Sequence, residues 1–188
     1  MKTKFFIIFI ISIVIIVGGV GYFMNRTINA PSKLDAFAQA LTAKGLKFYG
    51  AFWCPHCQAQ KAEFGSAKKY LPYVECSNAD NTPKQICLDN KVEAYPTWAF
   101  KDGIKITSSS EPTICPIAVK DVKQEGVCAN AASEYYHVWI FPEYKFSIKS
   151  PTDPIKTGNI WQFPSGVQTV GEVPTSFLAE QIQFTLPL

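Results

Sequence analysis

The residues of this chain best suited to chemistry are Cys54 and Cys57, two cysteines with two residues between them in Trp53-Cys54-Pro55-His56-Cys57. The apolar run Leu46 to Phe52 precedes them and a helix-like stretch, Gln58 to Tyr70, follows. Both thiols therefore fall where a strand hands over to a helix. At a helix N-terminus the unpaired N–H groups and the positive end of the macrodipole favour an anion, so Cys54 is expected to ionise more readily than a free thiol. A thiolate is the attacking species in disulfide exchange. Pro55 suits the first helical position, where its missing N–H is not needed, and His56 adds a positively biased neighbour. Cys57, one turn along, is placed to resolve a mixed disulfide formed at Cys54.

Two blander roles compete. A zinc ribbon needs a second C-x-x-C, which the chain lacks. A purely structural bridge needs neither Trp53 nor the strand-to-helix setting. The pattern points to a redox dithiol, with no metal site assigned. A copper- or zinc-binding module using Cys54, His56 and Cys57 stays open as an alternative class.

The elements that must position the dithiol can be read on either side. Leu34, Phe37, Ala38 and Leu41 recur at helical spacing after Ser32, a candidate N-cap, and Gly45 stands where a C-terminal cap belongs. The strand 46–52 follows, apolar as a strand covered on both faces is. A short strand at Pro72 to Cys76 and a helix from Pro83 to Asn90 carrying Cys87 come next. Tyr95-Pro96-Thr97-Trp98 then sets a proline before the apolar run that ends at Phe100.

Trp53-Cys54-Pro55-His56-Cys57 after a hydrophobic strand, together with Tyr95-Pro96-Thr97-Trp98, resembles the thioredoxin superfamily. Residues 48–57, Leu71-Pro72-Tyr73-Val74-Glu75-Cys76, Cys87 and Tyr95 to Trp98 more closely resemble the thioredoxin-like domains associated with vitamin K epoxide reductase homologues. The likeness runs over about 34–101 and resumes at 160–182. It implies an α/β thioredoxin-like fold, a central mixed sheet flanked by helices. It also implies a cis Tyr95–Pro96 bond lying against the dithiol, with Trp53, Tyr95 and Thr97 flanking the substrate and Pro96 part of the active site. In that family the domain takes electrons from substrate thiols and passes them to a membrane-embedded quinone reductase. C-P-H-C is also the active-site sequence of the strongly oxidising DsbA-like proteins. Many thioredoxins bury an Asp six residues before the first cysteine; Phe48 stands there, which suits an oxidant better than a reductase.

The remainder of the chain sets the context. Lys2 and Lys4 precede Phe5 to Met24, twenty residues without a charge and long enough to cross a bilayer core. Residues 1–24 are read as an uncleaved N-terminal anchor, residues 25–33 as a linker and residues 34–188 as the thioredoxin-like domain, held on the extracytoplasmic side. The full chain of 188 residues is 47% hydrophobic and 18% charged, with a net charge of +3. That leaves one globular domain beyond the anchor and gives no basis for nucleic-acid binding.

Past Lys101 the resemblance lapses. Asp102-Gly103 reads as a hairpin turn into a strand at Ile104 to Ile106. Residues 160–173 resemble the closing hairpin of the same family and Pro174 to Phe184 its last helix, which implies that residues 107–159 are an insertion. An internal echo lies here: Glu93, Tyr95, Trp98 and Phe100 recur as Glu134, Tyr136, Trp139 and Phe141, each displaced by 41. Either this is coincidence in an aromatic-rich strand, or a partial duplication adds a helix and a strand without a second active site. The six cysteines allow 15 pairings. Local spacing suggests Cys54 with Cys57, Cys76 with Cys87 and Cys115 with Cys128. The last two are read as structural, with an electron relay through Cys76 and Cys87 the alternative, and an even count suits an oxidising compartment. The reading is a membrane-anchored thiol oxidase without a cofactor of its own. Its expected partners are exported cysteine-containing proteins and a vitamin K epoxide reductase-like quinone reductase. A tethered reductase acting on apocytochrome c or an isomerase is the alternative.

Overall fold

The computed structural model describes residues 2–28, 31–115, 128, 133 and 135–187. The chain begins with helix α1, Lys2–Ile28. Its side chains at 9–22 are exposed all round, apolar ones such as Phe9, Ile15 and Val17 included. Among the described residues no helix is long and apolar enough to cross a membrane. The anchor expected at residues 1–24 therefore rests on the sequence.

Helix α2, Asp35–Ala43, buries Phe37, Ala38 and Leu41 on one face. The Ser32 hydroxyl accepts the Leu34 N–H at 3.1 Å, so Ser32 caps the turn before the helix and Leu34 occupies the cap position itself. At the other end the Gly45 N–H donates to Thr42 O and the Leu46 N–H to Leu41 O, the paired bonds of a glycine-terminated helix. The chain then enters β1, Lys47–Gly50, shorter than the expected 46–52. Next come α3, Pro55–Glu63, a 3-10 segment, Gly65–Tyr70, and β2, Tyr73–Glu75. Helix α4, Gln85–Asp89, and β3, Thr97–Phe100, follow.

The later strands are β4, Ile104–Thr107; β5, Thr113–Cys115; β6, His137–Ile140; β7, Ser147–Ser150; β8, Ile155–Thr157; β9, Ile160–Phe163; and β10, Val167–Val170, before helix α5, Thr175–Gln181. Among the described residues seven strands form one mixed sheet in the order β2-β1-β3-β10-β7-β6-β5, with β1 and β2 parallel and the other pairs antiparallel. A small antiparallel sheet, β4-β9-β8, is not hydrogen-bonded to it but shares its core.

Two expected hairpins are absent. β3 and β4 belong to different sheets although Asp102-Gly103 joins them. Gly103 has φ +82°, and a Cβ there would lie 2.3 Å from Phe163 O, so only glycine lets the chain turn away beneath β9. β9 and β10 do not pair either, because β10 is held between β3 on one edge and β7 on the other. A strand of the 107–159 segment occupies the edge that a closing hairpin would have used.

That segment extends the main sheet with three strands, β5, β6 and β7, and gives β8 to the small sheet. Any helix accompanying the echo falls at residues outside those described, as does Glu134. The aromatic part of the echo has a structural counterpart. Registers place Phe48, Trp98, Thr169, Ile148 and Trp139 in one row across five strands. Cross-strand partners share a face, so Trp98 and Trp139 enter the same core. There Phe48 stacks on Trp98 at 4.6 Å, while Trp139 meets Trp161 at 5.9 Å. Phe37 of α2 and Phe177 and Leu178 of α5 cover that core, α5 burying the face expected of it.

Candidate active site

The dithiol sits at the junction of β1 and α3. The Cys54 N–H donates to Ala51 O at 3.0 Å, closing a turn, and the Gln58 N–H donates to Cys54 O at 3.1 Å, opening the helix. Cys54 is the N-cap, with extended backbone, and Pro55 occupies the first helical position. Both cysteines are free thiols, Cys54 5% exposed and Cys57 fully buried. β1 can come this close only because it ends in glycine. A Cβ on Gly50 would lie 2.9 Å from Cys57 Sγ and 3.0 Å from Tyr73 Cε2.

The Tyr95–Pro96 bond is cis. It brings the Tyr95 carbonyl to 3.8 Å from Cys54 Sγ, within reach of a thiol donor. The Gly171 N–H donates to Pro96 O at 3.0 Å, fastening this loop to the end of β10. Trp53 is half exposed, its indole N–H donates to Ser77 Oγ at 2.8 Å, and its ring meets Tyr95 edge-on at 6.1 Å. Phe52 is equally exposed beside it. Thr97 differs from its expected place among the substrate-flanking residues. It is fully buried and its hydroxyl donates to Ala94 O at 2.7 Å, so the side chain braces the loop from inside.

The two sulfurs have unlike surroundings. Burial, and then the hydrogen bond to Cys54, push the Cys57 thiol up to about 12. The nearby Lys61 ammonium acts in the opposite direction. Cys57 and Lys61 are four apart on α3 and so share a helix face. Lys61 Nζ lies 3.3 Å over the Tyr73 ring, and burial lowers its pKa. The Tyr73 hydroxyl donates to Glu75 Oε2 at 2.8 Å; burial and that bond raise the phenol's pKa. Glu75 Oε1 also accepts the N–H groups of Phe52 and Ser77, at 3.1 and 3.0 Å. Charge thus lies below Cys57 although Phe48 fills the position where many thioredoxins keep an acid.

On the outer side His56 Nδ1 is 2.7 Å from Glu172 Oε1. Gln60, fully buried on α3, grips the same loop: its Nε2 donates to Val173 O at 3.0 Å and its Oε1 accepts the Val173 N–H at 2.7 Å. Lys61, Tyr73, Glu75, Gln60 and Glu172 were not singled out from sequence. Only Lys61 carried a local signal, its helical spacing from Cys57.

The remaining cysteines form two disulfides. Cys76 and Cys87 are joined with Cα atoms 5.6 Å apart, and Cys115 and Cys128 with Cα atoms 5.3 Å apart. The first lies in a buried cluster with Tyr49 and Val92, against which Tyr95 packs. His137, on β6, faces Asp153 at 3.2 Å in the open. Among the described residues no three His, Cys, Asp or Glu side chains are grouped to hold a metal ion.

A mixed sheet with flanking helices, a thiol at a helix N-cap beside a buried one, and the carbonyl of the residue before a cis-proline next to them are compatible with a thioredoxin-like domain built around a dithiol able to exchange disulfides. No family profile matches the chain. Part of it is 44% identical over 75 residues to the thiol-disulfide oxidoreductase LTO1 of Arabidopsis thaliana, covering 37% of this chain and 20% of that protein. It is 37% identical over 82 residues to the thioredoxin domain-containing protein 5 homolog of Drosophila melanogaster, covering 37% of this chain and 19% of that protein. The chain thus spans about a fifth of the length of these curated relatives.

Proposed function

We propose that the chain is a membrane-anchored thiol oxidase that introduces disulfides into exported proteins through a Cys54–Cys57 redox disulfide. The observation that carries this reading is the asymmetry of the dithiol. Cys54 occupies the helix N-cap position beside the Tyr95 carbonyl, and Cys57 lies buried behind it with its thiol pushed up to about 12.

In the forward reaction a substrate thiolate attacks Cys54 Sγ of the oxidised pair. The Cys54–Cys57 bond breaks, its electron pair leaves on Cys57, and a proton taken up there restores the thiol. A second substrate thiolate then attacks the substrate sulfur of the mixed disulfide, expelling Cys54. The substrate leaves oxidised and the enzyme carries both electrons as a dithiol. The carbonyl before the cis-proline offers an acceptor for strand-like pairing with the substrate backbone.

The apolar, exposed flank of α1 supports a membrane anchor, and two further disulfides suit an oxidising, extracytoplasmic compartment. The likeness of the motifs to vitamin K epoxide reductase-associated domains supports a membrane quinone reductase as the partner that reoxidises the dithiol. The deciding experiment equilibrates the purified protein with glutathione buffers and maps the Cys54/Cys57 state. An oxidase has a potential above that of glutathione. A potential well below it reverses the direction and makes the protein a tethered reductase.

A further inference from the structure

The described residues of the 107–159 segment do not touch the dithiol, yet they hold the loop that leads into Tyr95–Pro96. Lys149, on β7, stands in the cross-strand row Ala99, Gln168, Lys149 and Val138, on the sheet face opposite the aromatic core. It is only 5% exposed, and its ammonium pairs with the Glu93 carboxylate. The Ser133 hydroxyl donates to the same Glu93 oxygen at 2.7 Å. Two residues nearer the start of that loop, the Lys91 ammonium lies 4.5 Å over the ring of Tyr135. Two residues nearer its end is Tyr95.

A buried ammonium is tolerated only when paired, and Lys149, the more buried of the two, depends on Glu93 for that pairing. Lys149 and Glu93 therefore fix one another, and with them the approach of the chain to the cis bond. Tyr135 and Ser133 add contacts from the same segment. We infer that the 107–159 segment is a brace for substrate docking, in which Lys149 is a positioning residue that acts through Glu93 to set the Tyr95 backbone beside Cys54. This rests on the thiol-exchange reading above. The brace acts on the edge that pairs with a polypeptide; α3 and β1 hold the sulfurs independently of it.

The test compares two substrates in Lys149→Met: dithiothreitol, which needs no backbone pairing to reach Cys54, and a reduced two-cysteine peptide. The expected result is a KM for the peptide raised by about tenfold, with kcat and the dithiothreitol rate within about twofold of wild type. Should Lys149→Met fail to fold, Glu93→Gln with Lys149→Met removes both charges of the pair together and carries the same expectation. Peptide kinetics that do not change, or that fall in step with the dithiothreitol rate, overturn the brace. A wild-type protein whose disulfide does not open with dithiothreitol overturns instead the reading beneath it.

Discussion

The imidazole of His56, in the first turn of the active-site helix, lies 2.7 Å from the carboxylate of Glu172, a residue 116 positions further along the chain. The contact exists because β10 pairs with β3 and delivers its last residues to the dithiol, where Gln60 clamps Val173 and the Gly171 N–H reaches Pro96 O. One loop thereby touches the histidine between the cysteines, the helix that carries them and the cis-proline.

Glu172 places a negative group near the end of α3 where negative charge develops on sulfur during exchange. Glu172→Gln is expected to favour the reduced form and make the couple more oxidising. His56 is 69% and Glu172 41% exposed at the side chain, so screening keeps the effect small. About a threefold change in the equilibrium with glutathione, on the order of 15 mV for two electrons, is predicted. It should fade in high salt.

Lys61 shares a helix face with Cys57 and lies over Tyr73, whose hydroxyl is held by Glu75. When the disulfide opens, the departing Cys57 thiolate has this ammonium as a nearby opposite charge. Lys61→Met should slow opening by dithiothreitol by about three- to tenfold, and Lys61→Arg should recover most of the rate. Stopped-flow tryptophan fluorescence would follow both; equal rates in all three proteins contradict the role.

The Cys57 thiol also sets a pH dependence. Its pKa is raised from 9.0 to about 12 in the folded, reduced protein. Below pH 9 both folded and unfolded states hold the proton, and the stabilisation from the buried neutral thiol is fully present. Between pH 9 and about 12 the unfolded chain gives the proton up first, so this stability is lost as pH rises. Urea midpoints of the reduced protein should fall across that window, and Cys57→Ala should make the fall smaller and move its start up towards pH 10, where the raised phenols such as Tyr73 take over.

The Cys76–Cys87 disulfide closes a short loop, with a sequence separation of 11, directly behind Tyr95. Replacing both cysteines by alanine is expected to cost about 3 kcal/mol of stability in the chain-entropy view. Because Ser77 follows Cys76 and holds the Trp53 indole, the peptide reaction should suffer as well. Calorimetry and peptide kinetics on one preparation check both.

Much of the site was legible from local patterns. Trp53 to Cys57 announced a thiol at a strand-to-helix turn through neighbours in the sequence, while the place of Tyr95-Pro96 against it came from the resemblance to thioredoxin-like domains. Lys61 was not singled out, although its spacing of four from Cys57 on one helix is a local signal. Glu172 and Lys149 carried none, since only the pairing of β10 with β3 and β7 brings them near the dithiol and its loop. The two hairpins failed for the same reason. Asp102-Gly103 has hairpin chemistry, yet the close approach of Phe163 O and the claim of β7 on the β10 edge are long-range facts.

The central claim is that one sulfur meets the substrate while its neighbour waits behind it. Brief treatment of the reduced native protein with iodoacetamide at neutral pH, followed by mass mapping, tests it directly. The account predicts alkyl on Cys54 while Cys57 stays unmodified until the protein is unfolded. Label arriving first on Cys57, or on both at one rate, would contradict it.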